Sequence, residues 1–363
     1  MLKILKDTTK NLIFKNTFLF LIYRIIFEPK KLYVEVKTYL TLKKIKDLNK
    51  TELGDLTQKK LLHLLNYAVI NVPFYKKLFQ KSESLSLEKF PIIDKETIIS
   101  NYSEFFSTKY RKNNLIKRNT GGSTGEPFIF FSDQYAGNYD NAHHWYTYSL
   151  MGHSIFRNII SCGGFSLNET QLQKNIFWKK LNKLSVFGAY QFSALYISDE
   201  NIKFYVEKIL SVKPSILRGY PSFWDRIAKF ILKNNIKIDF EVNGINLTAE
   251  MCTNEQRENI ELAFSSRVYF EYGNSEMSVF MYTDDESYIY KSSPIYGYAE
   301  VIDDHGNSLD TGQIGKIVVT GFNNLAMPLI RYDTGDLGVM SEKHHGYIKL
   351  SQLKGRSQDI IYT

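Results

Sequence analysis

Thr120-Gly121-Gly122-Ser123-Thr124-Gly125-Glu126-Pro127 sets three glycines and three small hydroxyl side chains within one short stretch. Glycine tolerates crowded and left-handed backbone, so successive amides can turn inward and form a concavity for an anion, with Thr120, Ser123 and Thr124 adding hydroxyl donors. Phosphate binding on such a loop needs no lysine. The spacing is neither the Gly-x-x-x-x-Gly-Lys-Ser/Thr phosphate loop nor the Gly-x-Gly-x-x-Gly dinucleotide fingerprint, which removes the main support for kinase, GTPase or dehydrogenase readings. A glycine-rich surface turn would show the same composition, so the stretch needs company elsewhere in the chain.

Three later segments supply it. Tyr272-Gly273-Asn274-Ser275-Glu276 follows a run, Arg267 to Phe270, that reads as a buried strand, and it puts one carboxylate just past a strand end, a good place for a Mg2+ ligand. Arg331-Tyr332-Asp333-Thr334-Gly335-Asp336 reads as a turn whose acid can accept two ribose hydroxyls, and Gly355-Arg356-Ser357-Gln358-Asp359 as a turn pairing a cation with an acid. Singly, Glu276 would equally suit a helix N-terminus, Asp336 an ordinary turn and Arg356 a surface ion pair. In this order and with these separations, the set resembles the acyl-adenylate-forming superfamily, and within it the phenylacetate-CoA ligase and CapK-like branch. Asn71-Val72-Pro73-Phe74-Tyr75, Phe90-Pro91-Ile92-Ile93-Asp94-Lys95, Leu217-Arg218-Gly219-Tyr220-Pro221-Ser222, Thr248-Ala249-Glu250-Met251 and Ala326-Met327-Pro328-Leu329-Ile330 are similar to segments of that branch.

The resemblance implies ATP-dependent activation of a carboxylic acid as acyl-adenylate, with release of pyrophosphate and transfer to CoA or another thiol, amine or hydroxyl. Surface-polysaccharide assembly is the implied setting. Thr120 and Thr124, with Gly121, Gly122, Ser123 and Gly125, would hold the β- and γ-phosphates. Glu276 would bind Mg2+, Tyr272 and Gly273 with Ala249 and Glu250 would flank adenine, Asp336 would accept the ribose hydroxyls, and Arg356 would contact the ribose-phosphate region. Aromatic stretches around Trp145, Phe187 to Tyr190 and Tyr220 to Phe223 would line an acyl pocket. A catalytically impaired nucleotide-binding protein, or an adenylyltransferase acting on a cofactor carboxylate, are the alternatives. The chain departs from the family in stopping at Thr363, shortly after the Gly-Arg-x-x-Asp segment, where members continue into a mobile C-terminal lid domain carrying a lysine. The lid is therefore expected to be absent, in a fragment or in a short form that turns over poorly.

Composition fits this picture. A length of 363 residues suggests about two domains, and 44% hydrophobic with 23% charged residues excludes a disordered chain. Cys162 and Cys252 lie far apart, outside any Cys-x-x-Cys pair, which argues against a disulfide or zinc framework and for a cytoplasmic setting. A formal charge of +8 favours polyanions, but no nucleic-acid-reading motif accompanies it, so no nucleic acid partner is expected. The adjacent His143 and His144 point in different directions on any regular element, so they read as helix residues near a pocket rim. Near the N-terminus, Thr17-Phe18-Leu19-Phe20-Leu21-Ile22-Tyr23 is apolar but broken by Arg24, too short for a hydrocarbon layer of about 30 Å. It reads either as a helix packed on the main body or as a basic amphipathic segment giving peripheral membrane association, with Lys3, Lys6, Lys10, Lys15, Lys30 and Lys31 toward anionic lipid.

The expected architecture is α/β: a large multi-sheet adenylate-forming N-terminal domain with a helical N-terminal segment and a small β subdomain. Residues 1–100 read as mainly helical, with a helix over 59–68 ended by Pro73. Residues 101–295 read as an α/β nucleotide- and acyl-binding body, with strands at 128–131 and 159–162 and helices at 200–212 and 254–264. Residues 296–354 read as the small β unit, and 355–363 as a hinge stub.

Overall fold

A computed structural model describes residues 16–79, 84–119, 128–285 and 287–356. In chain order, helices α1 (Thr17–Phe27), α2 (Pro29–Ile45), α3 (Lys50–Asn71), α4 (Pro73–Lys76) and α5 (Lys95–Ser100) precede a hairpin of β1 (Ile116–Asn119) and β2 (Ile129–Ser132). Then come α6 (Ala136–Leu150), β3 (Ile159–Gly163), α7 (Glu169–Gln173), β4 (Trp178–Lys180), β5 (Tyr190–Ser193), α8 (Ile202–Val212), β6 (Ile216–Gly219), α9 (Pro221–Lys233), β7 (Gly244–Leu247), α10 (Asn254–Phe264) and β8 (Val268–Gly273). Strands β9 (Phe280–Tyr282), β10 (Tyr290–Ser292), β11 (Gly297–Ile302), β12 (Ile314–Gly321), β13 (Tyr332–His344) and β14 (Tyr347–Arg356) follow.

Local chemistry explains several of these boundaries. Asn49 caps α3 by accepting from the amides of Thr51 and Glu52, while Glu52 reaches back to the Asn49 amide, a reciprocal capping box. Pro73 cannot continue α3 and instead occupies the first turn of α4, where its missing N–H costs nothing. Thr253 and Gln256 form the same box at the start of α10.

The chain folds as two compact units interleaved in sequence. One takes the described residues up to Tyr33 together with His144–Phe270. Its sheet places β7, β6, β3 and β5 side by side and parallel, with the first half of β8 beside β7 and β4 antiparallel at the β5 edge. Parallel strands buried on both faces need helical cover. Tyr205, Val206 and Ile209 of α8, Phe223, Trp224 and Ile227 of α9, and Ile260 and Phe264 of α10 pack on Ile160, Leu217, Ile245 and Val268 of the strands. Phe223 is thus a core residue beside the helices, not a pocket-lining one, because apolar area is worth most where it is fully withdrawn from water. On the opposite strand face, Tyr148 and Met151 pack on Ile159 and Ile216. Gly219 bends at φ +133°, and a Cβ there would lie 2.3 Å from the Cys162 sulfur, so only glycine fits at the end of β6.

Helix α1 belongs to this unit and buries none of its residues, so it does not pack on the body as a core helix would.

The second unit takes Val34–His143 and the chain from Glu271 onward. The second half of β8 pairs with β9, then β10, β14, β13, β12 and β11 continue an antiparallel sheet. Leu61, Leu64, Leu65 and Ala68 of α3, with Tyr75, Phe90 and Phe105, form one core with Met281, Val301, Ile317, Val319 and Leu350 from the strands. Tyr75 is fully buried, donating to the Pro328 carbonyl and accepting from the Ile330 amide, and so pins the segment leading into β13. His143 is buried and satisfied rather than at a rim. Its Nδ1 lies 2.7 Å from the Tyr139 carbonyl and must donate, leaving Nε2 to accept from Ser293 Oγ at 2.8 Å.

His153 gives the parallel unit a pH signature. Burial first, then the positive charges of Arg157 and Lys183, push its imidazole down to about 4, while Nδ1 bonds Ser215 Oγ. The ordinary value is about 6.5, so on acidification the unfolded chain takes up a proton that the folded one refuses. Stability attributable to His153 should be fully present above pH 6.5 and be lost as pH falls toward about 4. Urea midpoints measured across that window should fall for the native chain and fall less for His153→Gln; parallel curves would exclude the assignment.

Candidate active site

In the antiparallel unit, the two acids expected at the nucleotide site are each bonded by a phenol carried on a strand. Tyr272, near the end of β8, donates to Asp336 Oδ2 at 2.9 Å, and its oxygen also lies 3.3 Å from Thr334 Oγ1. Thr334 in turn donates to the Ile317 carbonyl. Burial, then the charges of Asp336 and Glu276, raise the Tyr272 hydroxyl well above its ordinary value, so it stays a donor at any physiological pH. Glu276 is buried, and its Oε1 accepts from Tyr332 Oη at 2.8 Å. Tyr332 opens β13, and Thr334 and Asp336 flank Gly335 in a bulge of that strand opposite Ile317, where both meet Tyr272. Arg356 is the cross-strand backbone partner of Asp336 on β14.

Sequence composition suggested turns at 331–336 and from Gly355, whereas residues 332–344 form one long strand and Gly355 and Arg356 close its neighbour. Pairing with β12 and β14 carries the strands through both segments, while Gly335 at φ +75°, Gly355 at φ +73° and the register shifts on either side of Asp336 keep a local bulge. Glu276 lies in a turn, not at a helix N-terminus, since β9 follows directly. Asn274 holds that turn closed, its Oδ1 accepting from the Ser278 amide and its Nδ2 donating to Ser278 Oγ. Met277 takes φ +57°, a left-handed conformation that costs energy for a residue with a side chain and is often stored at functional positions. Gly273 lies at the last position of β8, opposite Phe280.

Arg331 anchors the start of β13. Its guanidinium forks onto Glu300 at 3.2 and 3.1 Å and also reaches the Phe90 and Gly306 carbonyls, with its own backbone at φ +52°. Burial raises the Glu300 carboxyl, opposed by Arg331, so the pair pays for desolvation and holds only through its geometry.

In the parallel unit, Ala249 follows β7 at φ +69°, and exposed Glu250 accepts from the Ser222 amide, in the first turn of α9, at 3.2 Å. A carboxylate at a helix N-terminus is favoured by the dipole, so Glu250 has a structural role there. The sheet also carries a transverse polar row that the sequence reading missed: Gln191, Ser161, Arg218, Asn246 and Tyr269 lie in register across five strands. Arg218 stands 5.6 Å from the ring of Phe187, and both polar atoms of the buried Asn246 side chain lack a hydrogen-bond partner. β3, β6 and β7 are short, almost wholly buried strands without an apolar–polar alternation, so no local signal announced the row. Thr120, Gly121, Gly122, Ser123, Thr124 and Gly125 lie outside the described residues, between β1 and β2.

No protein-family model matches the chain. Protein CapK of Staphylococcus aureus is 30% identical over 342 residues, which span 90% of this chain and 72% of CapK. The chain belongs to the phenylacetate-CoA ligase and CapK-like branch of the acyl-adenylate-forming superfamily. The phenylacetate-coenzyme A ligase of Pseudomonas putida is 25% identical over 318 residues, 82% of this chain and 69% of that ligase. An open conformation of 2-hydroxyisobutyryl-CoA ligase, solved with 2-HIB-AMP and CoA, has a TM-score of 0.65 at 20% identity and covers 84% of this chain and 75% of that one. That likeness shows the adenylate-forming fold for this CapK-like chain.

Replacing Arg331 by Ala would leave Glu300 buried and unpaired, and should cost about 3–5 kcal/mol of stability. The double change Arg331→Met with Glu300→Leu should recover most of it in urea unfolding; an equal or larger loss in the double variant would show that the pair does more than satisfy itself.

Proposed function

We propose that this CapK-like protein activates a carboxylic acid with ATP. A carboxylate oxygen attacks the α-phosphorus, the bond from that phosphorus to the bridging oxygen breaks, and pyrophosphate leaves with the electron pair. Transfer of the acyl group to CoA or to another thiol, amine or hydroxyl follows, in a cytoplasmic step of surface-polysaccharide assembly. One observation supports this reading most: in the antiparallel unit Asp336 is oriented by the Tyr272 hydroxyl and Glu276, 60 positions earlier, by the Tyr332 hydroxyl.

Those two acids suit different parts of a nucleotide. Asp336, aligned by Tyr272, is an acceptor for vicinal ribose hydroxyls, and the fixed orientation lowers the entropy cost of binding. Glu276 is a buried hard-oxygen donor oriented by Tyr332, and it fits Mg2+, which commonly takes one or two protein carboxylates together with phosphate oxygens. When bound, Mg2+ neutralises phosphate charge. Thr120 to Gly125 would cradle the β- and γ-phosphates, Gly273 would border the adenine, and Arg356, across from Asp336, would contact the ribose-phosphate.

Acid-dependent exchange of labelled pyrophosphate into ATP tests the reaction. Glu276→Gln should lower that exchange by about 10^2-fold or more, the usual scale for one preorganised charge-stabilising group, with an unchanged melting temperature. Normal exchange in the variant would remove Glu276 from the metal role. Exchange that no carboxylic acid stimulates would remove the ligase reading itself.

A further inference from the structure

Helix α1 is built the wrong way round for a soluble protein. Its sequence, Thr-Phe-Leu-Phe-Leu-Ile-Tyr-Arg-Ile-Ile-Phe, contains one charged residue, Arg24, which pairs with Glu28. Phe20, Tyr23 and Arg24, spaced as one helix face, are its half-buried side. Phe18, Leu21, Ile22 and Ile25, spaced i, i+3, i+4 and i+7, form the outward side, joined by Leu19, Ile26 and Phe27. Phe18 and Phe27 are each 70% exposed, and Ile26 61%. A soluble helix would turn such a face inward, and contiguous apolar patches of this kind mark interaction surfaces.

We propose that α1 is an interfacial membrane helix that lies along an anionic bilayer. Its 11 residues would extend only about 16 Å, against a hydrocarbon layer of about 30 Å, so it lies on the surface and does not cross. No helix among the described residues is long and apolar enough to span a membrane. Charge selects the partner. Directly after the apolar face come Glu28, which pairs with Arg24 and Lys31, then Lys30, exposed, and Tyr33, itself 63% exposed, so that the segment keeps a net positive charge in a chain of net charge +8. Cations and an aromatic ring beside an apolar face match the head-group region of an anionic leaflet, where each lysine adds to binding and tyrosine sits at the water boundary. A second copy of the same positively charged segment would instead bring like charges together. The inference stands independently of the ligase reading.

Vesicle flotation of the full chain decides it. The native protein should float with phosphatidylcholine vesicles containing about 30% phosphatidylglycerol, bind vesicles of phosphatidylcholine alone at least tenfold more weakly, and be released as salt is raised. Ile25→Glu with Phe27→Glu should abolish flotation, and Lys30→Glu with Lys31→Glu should weaken it severalfold, with pyrophosphate exchange in free solution unchanged in both. Equal binding to neutral vesicles, or no binding to either kind, would overturn the proposal. So would light scattering that shows a native dimer converted to monomer by Ile25→Glu with Phe27→Glu.

Discussion

The hydrogen bonds from Tyr272 to Asp336 and from Tyr332 to Glu276 are the constraint around which the antiparallel unit is arranged. A carboxylate withdrawn from water is tolerated only where donors or cations compensate. Tyr272 donates to one acid and Tyr332 to the other, and both phenols are held by strands. Because the Tyr272 hydroxyl is harder than usual to ionise, no third negative charge forms there. The result is a pair of oriented carboxylates, the arrangement on which the proposed nucleotide and Mg2+ roles rest.

That arrangement depends on the register of β13. Arg331 fixes its first residue through the buried fork onto Glu300, and Tyr75 fixes the segment before it through Pro328 and Ile330. From that anchor, Tyr332 reaches Glu276, and the bulge over residues 334–336, opposite Ile317, presents Thr334 and Asp336 to Tyr272. On the other side of the site, the turn carrying Glu276 approaches β11 so closely that a Cβ at Gly297 would lie 2.3 Å from the Ser278 carbonyl oxygen.

What the sequence made legible was decided locally. The helix expected over 254–264 begins there because Thr253 and Gln256 form its capping box, and ends there where Ser265 turns left-handed and bonds back to the Glu261 carbonyl. Pro73 acts through its own ring. The segments similar to the CapK-like branch carried the family and the fold class, which the relatives and the fold likeness show. The turns expected around Asp336 and Arg356 became strands because distant partners, β12 and β14, supplied the hydrogen bonds. Tyr332 escaped notice for the same reason: its contact with Glu276 joins segments remote in sequence, and nothing near Tyr332 announces it. The polar row through Asn246 becomes visible only when parallel strands are set in register.

Calorimetric titration with AMP, without Mg2+ and without any acid, tests most directly whether this cluster binds a nucleotide. The account predicts that the native chain binds AMP and that Asp336→Asn binds it at least about tenfold more weakly, the loss expected when a charged hydrogen-bond acceptor is removed. Equal affinity in the two proteins, with the fold intact, would contradict it.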